Sequence, residues 1–346
     1  MEQRVLGTSG LTVSSLALGT MTFGAETDEA GAVAQLDRFV EAGGTLIDTA
    51  DVYGTGRSEE VIGGWLATRG HHDDLVIATK GRFPMGEGPL DRGAGRRHLQ
   101  RAVQASLRRL GIDVIDLYQV HAWDQSVPLE ETLQTLDDLV RAGTVRYVGV
   151  SNYTGWQLQR ALRLAEMHAW TAPVSLQPQY NLLAREIEWE LVPQCLEEGI
   201  GLLPWSPLGG GWLTGKYRRD ERPTGATRLG EDPARGVEAY DRRNTDRTWA
   251  VIDHVRAVAE AHGCTLGQVA LAWVRQRPGV ASVILGARTV EQLDDNLASA
   301  DVTLSADEMD DLSIVSAPGI ADYPYRMLAQ NGMSVWDELR TRAAPD

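Results

Sequence analysis

Short apolar runs alternate with helix-like runs eight times along this chain, and that alternation restricts the fold more than any single motif does. The apolar runs at 15–19, 45–48, 75–80, 114–120, 145–150, 174–177, 201–205 and 281–285 have the length of strands. Helical periodicity follows them at 28–42, 58–68, 98–110, 129–142, 154–167, 186–198, 246–262 with 266–277, and 290–298. In the third of these, Leu99, Val103, Leu107 and Leu110 share one face. Gly43 and Gly44 stop the first helix, as glycine after a last turn does. Eight β/α units over roughly 290 residues match a closed parallel (β/α)8 barrel, the TIM-barrel architecture. A doubly wound open sheet is the alternative. The stretch Gly19-Thr-Met-Thr-Phe-Gly24, however, lacks the Gly-rich nucleotide fingerprint that such a sheet carries after its first strand. A hairpin over 5–13 precedes the first unit. A long Gly-, Arg- and Pro-rich loop follows the seventh strand to about residue 245, and a capped segment lies at 305–312. No linker, longer repeat or low-complexity segment interrupts the pattern, so one domain over 1–346 is expected, with a C-terminal tail from about 318.

The net charge of −15 argues against nucleic acid or an anionic membrane as a partner, because both would repel the chain. No run approaches the ~20 apolar residues of a membrane span. The start, Met1-Glu-Gln-Arg-Val5, lacks the apolar stretch of a signal peptide. The two cysteines, Cys195 and Cys264, lie far apart on helical patterns and read as free thiols rather than a disulfide. A reducing cytoplasm is the expected location.

The stretch Leu46-Ile-Asp48-Thr-Ala-Asp-Val-Tyr53-Gly54 ends the second strand in a carboxylate and sets a phenol in the loop above it. Ser58 with Glu59 and Glu60 reads as the next helix start, with acids near the positive end of its dipole. Lys80 ends the third strand and His121 follows the fourth. In parallel α/β folds this edge carries the chemistry. A free phenol titrates near about 10, and a neighbouring ammonium lowers that value. Asp48 would hold Lys80 charged, and His121 would donate to a substrate oxygen. The four suit protonation of a carbonyl oxygen while hydride arrives at its carbon. Taken alone, Asp48 and Lys80 read equally as a structural ion pair. Metal ligation is not expected, since no paired His or Cys spacing accompanies them. Nor does any Gly-x-Ser-x-Gly elbow suggest a serine hydrolase.

Further strand ends supply Ser151, Asn152 and Gln177 as hydrogen-bond partners for an amide-bearing flat ring. Trp205 would be its stacking platform or, on its own, a core tryptophan. The sequence from Gly210 to Gly215-Lys216 nearly matches a P-loop, but Tyr217 replaces the Ser or Thr that ligates magnesium, which excludes an NTPase. Strand eight leads into Gly286-Ala-Arg288 and then Gln292, Asp295 and Asn296, a glycine and helix start suited to phosphate. Arg288 is placed to pair with the 2′-phosphate of NADP. Arg228, from the long loop, would fold over it or remain a solvated surface arginine.

From about Arg4 to Val302 the chain resembles the aldo-keto reductases. The resemblance rests on Leu18-Gly-Thr-Met21, the 48–54 stretch, Thr79-Lys80, Tyr118-Gln-Val-His121, Gly149-Val-Ser151-Asn152, Leu176-Gln177-Pro-Gln-Tyr180-Asn181, Trp205-Ser-Pro-Leu-Gly209 and 286–296. It implies a barrel that holds NADPH across its C-terminal mouth and reduces a small-molecule aldehyde or ketone. It implies Tyr53 as general acid, Lys80 and Asp48 tuning it, and His121 orienting the carbonyl. Ser151, Asn152 and Gln177 would hold the carboxamide and Trp205 would stack on the nicotinamide. Thr20, Met21 and Asp48 would border the cofactor. Ser206, Pro207, Leu208, Gly210 and Lys216 would take the pyrophosphate. Gly286, Arg288, Gln292, Asp295 and Asn296 would hold the adenosine end, with Arg228 over it. Asp295 stands where Glu is common in the family, and Trp205 where Tyr is. The long loop at 207–245 resembles the bacterial and channel β-subunit branches, so a cofactor-sensing regulatory subunit is the alternative to an enzyme. The variable segments 21–23, 83–85, 122–123 and the tail surround the substrate position and do not identify the substrate. No oligomeric interface is legible.

Overall fold

Alternate residues of a barrel strand face the axis, and here the inward set changes character from one end of the barrel to the other. The structure, a computed structural model, describes residues 1–331 apart from 226, 233, 235 and 320, and leaves the side chain of Arg228 undescribed. Strands β1 (Gln3–Val5) and β2 (Thr12–Ser14) form an antiparallel hairpin. Eight parallel strands follow: β3 (Leu16–Gly19), β4 (Leu46–Asp48), β5 (Val76–Gly81), β6 (Ile115–Val120), β7 (Val145–Ser151), β8 (Ser175–Gln177), β9 (Gly201–Leu202) and β10 (Val283–Leu285). They lie in the order β10-β3-β4-β5-β6-β7-β8-β9. The seam closes where Leu202 bridges Val280, the Ala281 N–H donates to the Leu202 carbonyl at 2.9 Å, and the Ile284 N–H donates to the Pro204 carbonyl at 3.0 Å. This is the (β/α)8 barrel that the alternation predicts.

Two apolar layers result. Outside the strands, Leu18, Ile47, Ile77, Val120, Val150, Leu176 and Leu285 pack against the surrounding helices. Inside, Ala17, Leu46, Val76, Ala78, Leu117, Leu203, Ala281 and Ile284 fill the barrel floor, and Leu6 and Val13 of the hairpin plug it from below. The plug needs a glycine at its turn: Gly7 sits at φ +60°, and a Cβ there would lie 2.4 Å from the Gly199 carbonyl. Above the floor the inward residues Asp48, Lys80, Gln119 and Gln177 are polar, so the polar part of the interior lies at the C-terminal mouth. Among the described residues no helix is long and apolar enough to cross a membrane. Both cysteines are free.

Several local expectations are corrected. The helix expected over 186–198 is a short 3₁₀ turn, Glu186–Trp189, and a separate α-helix, Leu191–Glu198. Pro193 tolerates only a first turn, because in a continuous helix its ring would clash with the carbonyl four residues earlier. The seventh strand is shorter than 201–205, since Pro204 has no N–H for the ladder. Ser58 does not cap helix Arg57–Arg69, whose preceding residue is Gly56 at φ +97°. Its hydroxyl is buried on the Thr20 carbonyl at 2.9 Å. Glu59 is buried too, paired with Arg109 at 2.6 Å and accepting from the Thr79 hydroxyl, so it ties this helix to its neighbours instead of meeting solvent at the dipole. The expected tail lies largely outside the described residues, at 332–346.

Leu6→Ala should open a cavity beneath the barrel floor and cost about 2–5 kcal/mol. Urea unfolding would show a lower midpoint at unchanged slope. An unmoved midpoint would mean that the hairpin does not plug the barrel.

Candidate active site

The polar layer sits directly on the apolar floor. Asp48 ends β4, Lys80 lies near the end of β5, Gln119 on β6 and Gln177 at the end of β8, all facing inward and all 0–2% exposed. Lys80 Nζ donates to Asp48 Oδ2 at 2.6 Å, to the Thr49 carbonyl at 2.9 Å and to the Tyr53 hydroxyl at 3.3 Å. All three of its N–H groups therefore have acceptors. Asp48 Oδ1 accepts from Gln177 Nε2 at 2.9 Å and Gln119 Nε2 at 3.2 Å. Burial works against the charge of Lys80, but Asp48 and Tyr53 outweigh it and hold its pKa above the ordinary value.

Tyr53 reaches Lys80 because the chain turns sharply after it: Gly54, Thr55 and Gly56 are all at positive φ. Its hydroxyl titrates above the ordinary phenol value. Burial is the main cause, and Lys80 pulls the other way. The expected lowering by the ammonium is thus present but outweighed, and the phenol holds its proton at neutral pH. The imidazole of His121 lies edge-on to the Tyr53 ring, with centroids 5.8 Å apart, and edge-on to Phe83 at 4.7 Å. Burial, with Lys80 and Arg82 adding to it, pushes His121 down to about 2, so the ring is neutral. Its buried Nδ1 has no hydrogen-bond partner among the described residues.

A second set rims the mouth. Asn152, at φ +57°, donates to the His121 carbonyl and to Ser151 Oγ, both at 3.0 Å, and accepts from the Trp205 indole at 3.1 Å. Ser151 Oγ donates to the Gln177 carbonyl at 2.8 Å. Trp205 is half-buried at the rim, so it is not a core tryptophan. Thr20 is fully buried, with its hydroxyl donating to the Asp48 carbonyl at 3.1 Å, while Met21 is 38% exposed. After β9, Ser206 stands at φ +53° and Pro207 is buried, and Leu208 precedes three glycines, Gly209, Gly210 and Gly211, all at positive φ. Lys216 Nζ lies against Gly211, 2.5 Å from where a Cβ would be.

At the far end Asn296 donates to the Gly286 carbonyl at 3.2 Å, and the Arg288 N–H donates to Gln292 Oε1 at 2.9 Å. Nothing lies within 4 Å of a Cβ built on Gly286, which leaves its backbone open to a ligand. Asp295 accepts from Thr265 at 3.1 Å and Gln268 at 2.7 Å, so its carboxylate ties helix Leu266–Arg275 down. The Arg288 guanidinium makes a two-pronged pair with Glu231 at 2.8 and 2.9 Å and lies 3.6 Å from Glu26. The side chain of Arg228 lies outside the described residues. A donor set of side-chain amides, a half-buried indole, open glycine backbone and an ammonium fits a nicotinamide dinucleotide, whose two riboses are bridged by one pyrophosphate.

Residue-by-residue reading missed three groups. Gln119 joins the Asp48 carboxylate, and strand alternation from Leu117 would have turned it inward. Glu231 occupies Arg288 from a one-turn helix, Arg228–Glu231, in the long stretch after β9 that has no sequence periodicity. Asp51 turns to the outer face of the barrel, where it lines a cleft along helix Arg96–Leu110. It is fully buried and neither carboxylate oxygen has a bonded partner among the described residues; the Val52 N–H influences it without bonding geometry. Burial, then repulsion by Glu59, raises it to about 7 against the pull of Arg109 and Lys80.

The chain is similar to known proteins over most of its length. The model of the Aldo/keto reductase family matches residues 15–317. Protein tas of Escherichia coli is 38% identical over 343 residues, covering 91% of this chain and 97% of that protein. A probable voltage-gated potassium channel subunit beta of Arabidopsis thaliana is 36% identical, covering 87% of this chain and 92% of its own. Versiconal hemiacetal acetate reductase of Aspergillus parasiticus is 34% identical, covering 89% and 95%.

The folded-state value of Asp51 lies above its ordinary 3.8, so the folded state binds this proton more tightly than the unfolded one. Stability is then present at low pH and lost as pH rises from about 4 through 7. Asp51→Asn should raise the unfolding free energy at pH 8 by an amount on the order of 1–4 kcal/mol, read as a higher melting temperature, and leave both nearly unchanged at pH 4. Equal effects at both pH values would remove the raised titration.

Proposed function

The chain belongs to the Aldo/keto reductase family, and on that premise we propose that this barrel reduces an aldehyde or ketone to an alcohol with NADPH. Carbonyl oxidoreduction with a nicotinamide cofactor is the general activity of the family. The observation that carries the finer reading is Lys80 Nζ bonded at once to Asp48 Oδ2 and the Tyr53 hydroxyl in a buried site.

When bound, the nicotinamide supplies a hydride to the carbonyl carbon. Tyr53 gives its proton to the carbonyl oxygen. The phenolate left behind already has an ammonium N–H directed at it, so charge develops where a donor waits. Asp48 keeps Lys80 charged through that step. His121, neutral at any working pH, holds the carbonyl oxygen by a hydrogen bond without competing as an acid. Ser151, Asn152 and Gln177 would hold the carboxamide, and the exposed face of Trp205 would stack on the ring. Ser206, Pro207, Leu208, Gly210 and Lys216 would take the pyrophosphate. Gly286, Gln292 and Asn296 would hold the adenosine end, and Arg288 the 2′-phosphate in exchange for Glu231. The small-molecule carbonyl would enter beside Phe83 and Trp123.

The likeness to channel β subunits favours a second reading, an NADPH-binding sensing subunit with little turnover. Mixing the protein with NADPH and a broad aldehyde and ketone panel separates the two. Consumption of reduced cofactor supports the enzyme. Tight cofactor binding with no carbonyl turned over supports the sensor.

Tyr53→Phe should lower kcat by about 10²–10⁴-fold and leave the NADPH Kd nearly unchanged. Turnover near the unmutated rate would remove Tyr53 from the acid role. Arg288→Ala should weaken NADPH by roughly ten- to a hundredfold and NADH much less. Equal losses in a fluorescence titration would show that Arg288 does not read the 2′-phosphate.

A further inference from the structure

We infer that Gln119 is a positioning residue: it fixes the Asp48 carboxylate, and through Asp48 the ammonium that serves Tyr53. This rests on the catalytic reading given under Proposed function. The argument begins with the two oxygens of Asp48. Oδ2 takes the Lys80 ammonium. Oδ1 is served only by side-chain amides among the described residues, Gln119 at 3.2 Å and Gln177 at 2.9 Å. A buried carboxylate oxygen without such donors would favour the protonated form or turn to seek another partner.

The two amides are not equivalent. Gln177 is bound at both ends of the cluster, donating to Asp48 and also to Gln119 Oε1 at 3.3 Å. Gln119 therefore touches Asp48 directly and also orients the other amide that does. The orientation is fixed by chemistry: flipping the Gln119 amide would set its oxygen against Asp48 Oδ1 and its nitrogen against the Gln177 nitrogen. Asp48, Gln119 and Gln177 come from β4, β6 and β8, alternate strands that share one layer of a barrel interior.

The neighbouring strand makes room for this side chain. Gly149 pairs with Gln119 in register, and a Cβ on it would fall 3.1 Å from Gln119 Cγ and 2.3 Å from Ser175 Oγ. The layer below, at Leu117, is apolar. An aliphatic residue at 119 would satisfy packing equally well, so the amide answers to the carboxylate above the floor.

Gln119→Met keeps the volume and removes the donor. Gln119→Glu keeps the shape and sets a second acid against Asp48. The experiment is a kcat–pH profile for both variants with NADPH and a turned-over carbonyl, alongside the NADPH Kd. For Gln119→Met the acid limb should move up by about one pH unit, with a roughly tenfold loss on that limb that recovers at higher pH. The NADPH Kd should stay within about threefold, and Gln119→Glu should lose more than Gln119→Met at every pH. A pH-independent loss, or none, would overturn the inference while leaving the reductase reading intact, since Tyr53→Phe tests that separately. A measurement free of turnover decides the case if no carbonyl is reduced. In ¹³C-carboxyl NMR, with Asp48→Asn for assignment, the Asp48 resonance should titrate at higher pH in Gln119→Met than in the unmutated protein. Coincident titrations would overturn the inference.

Discussion

A lysine with no exposed surface governs this barrel. An isolated ammonium in a low-dielectric interior is prohibitively unfavourable, so Lys80 is tolerable only with a partner for each N–H. The structure supplies a carboxylate, a main-chain carbonyl and a phenol. Removing one partner from a buried pair typically costs about 3–5 kcal/mol, because the survivor is left charged and unpaired. An aliphatic pair of similar volume would fill the same space without that risk. The choice of charge over packing at this depth accords with the chemistry proposed for the site.

The barrel makes that placement possible by dividing its interior in two. Leu46, Val76, Ala78, Leu117 and the hairpin residues Leu6 and Val13 build a dry floor, and the next inward positions are Asp48, Lys80 and Gln119. Each of these three strands thus changes from apolar to polar within one inward step. At the mouth the backbone is strained as well. Arg82, Asn152 and Ser206 each follow a barrel strand, and all three adopt positive φ without being glycine. Such conformations cost on the order of 1–3 kcal/mol each and persist where surrounding contacts over-determine them. For Asn152 those contacts are visible: three hydrogen bonds link it to the His121 carbonyl, Ser151 and Trp205.

The barrel was legible because strand and helix periods are local, and eight repetitions leave few alternatives. Asp48, Tyr53, Lys80 and His121 were legible as a group because each stands at or just past a strand end, where the fold itself gathers them. What escaped depended on distance and balance. Ser58 and Glu59 looked like a helix start, but contacts with Thr20, Thr79 and Arg109, remote in sequence, claim their side chains. The net direction at Tyr53 is a competition between burial and the Lys80 charge, and sequence gives the sign of each but not the larger. Glu231 lies 57 positions from Arg288, in a stretch with no period to follow. Alternation along β6 turns Gln119 toward Asp48, but it lies inside the strand, where no motif end marks it.

On the role proposed for Tyr53, the same layering means that little would have to move when its proton leaves. Donors already aimed at a developing charge spare the reorganisation that water would require. Lys80 cannot turn away from the phenol without abandoning an acceptor, because its other two N–H groups are held by Asp48 and the Thr49 carbonyl. Asp48 cannot turn without unpairing its Oδ1 from two amides. Those amides rise from strands whose floor is packed. The rigidity around Tyr53 is therefore inherited downward, from phenol to ammonium to carboxylate to amide, and ends in the apolar plug. A substitution at any level acts on Tyr53 through the level above it.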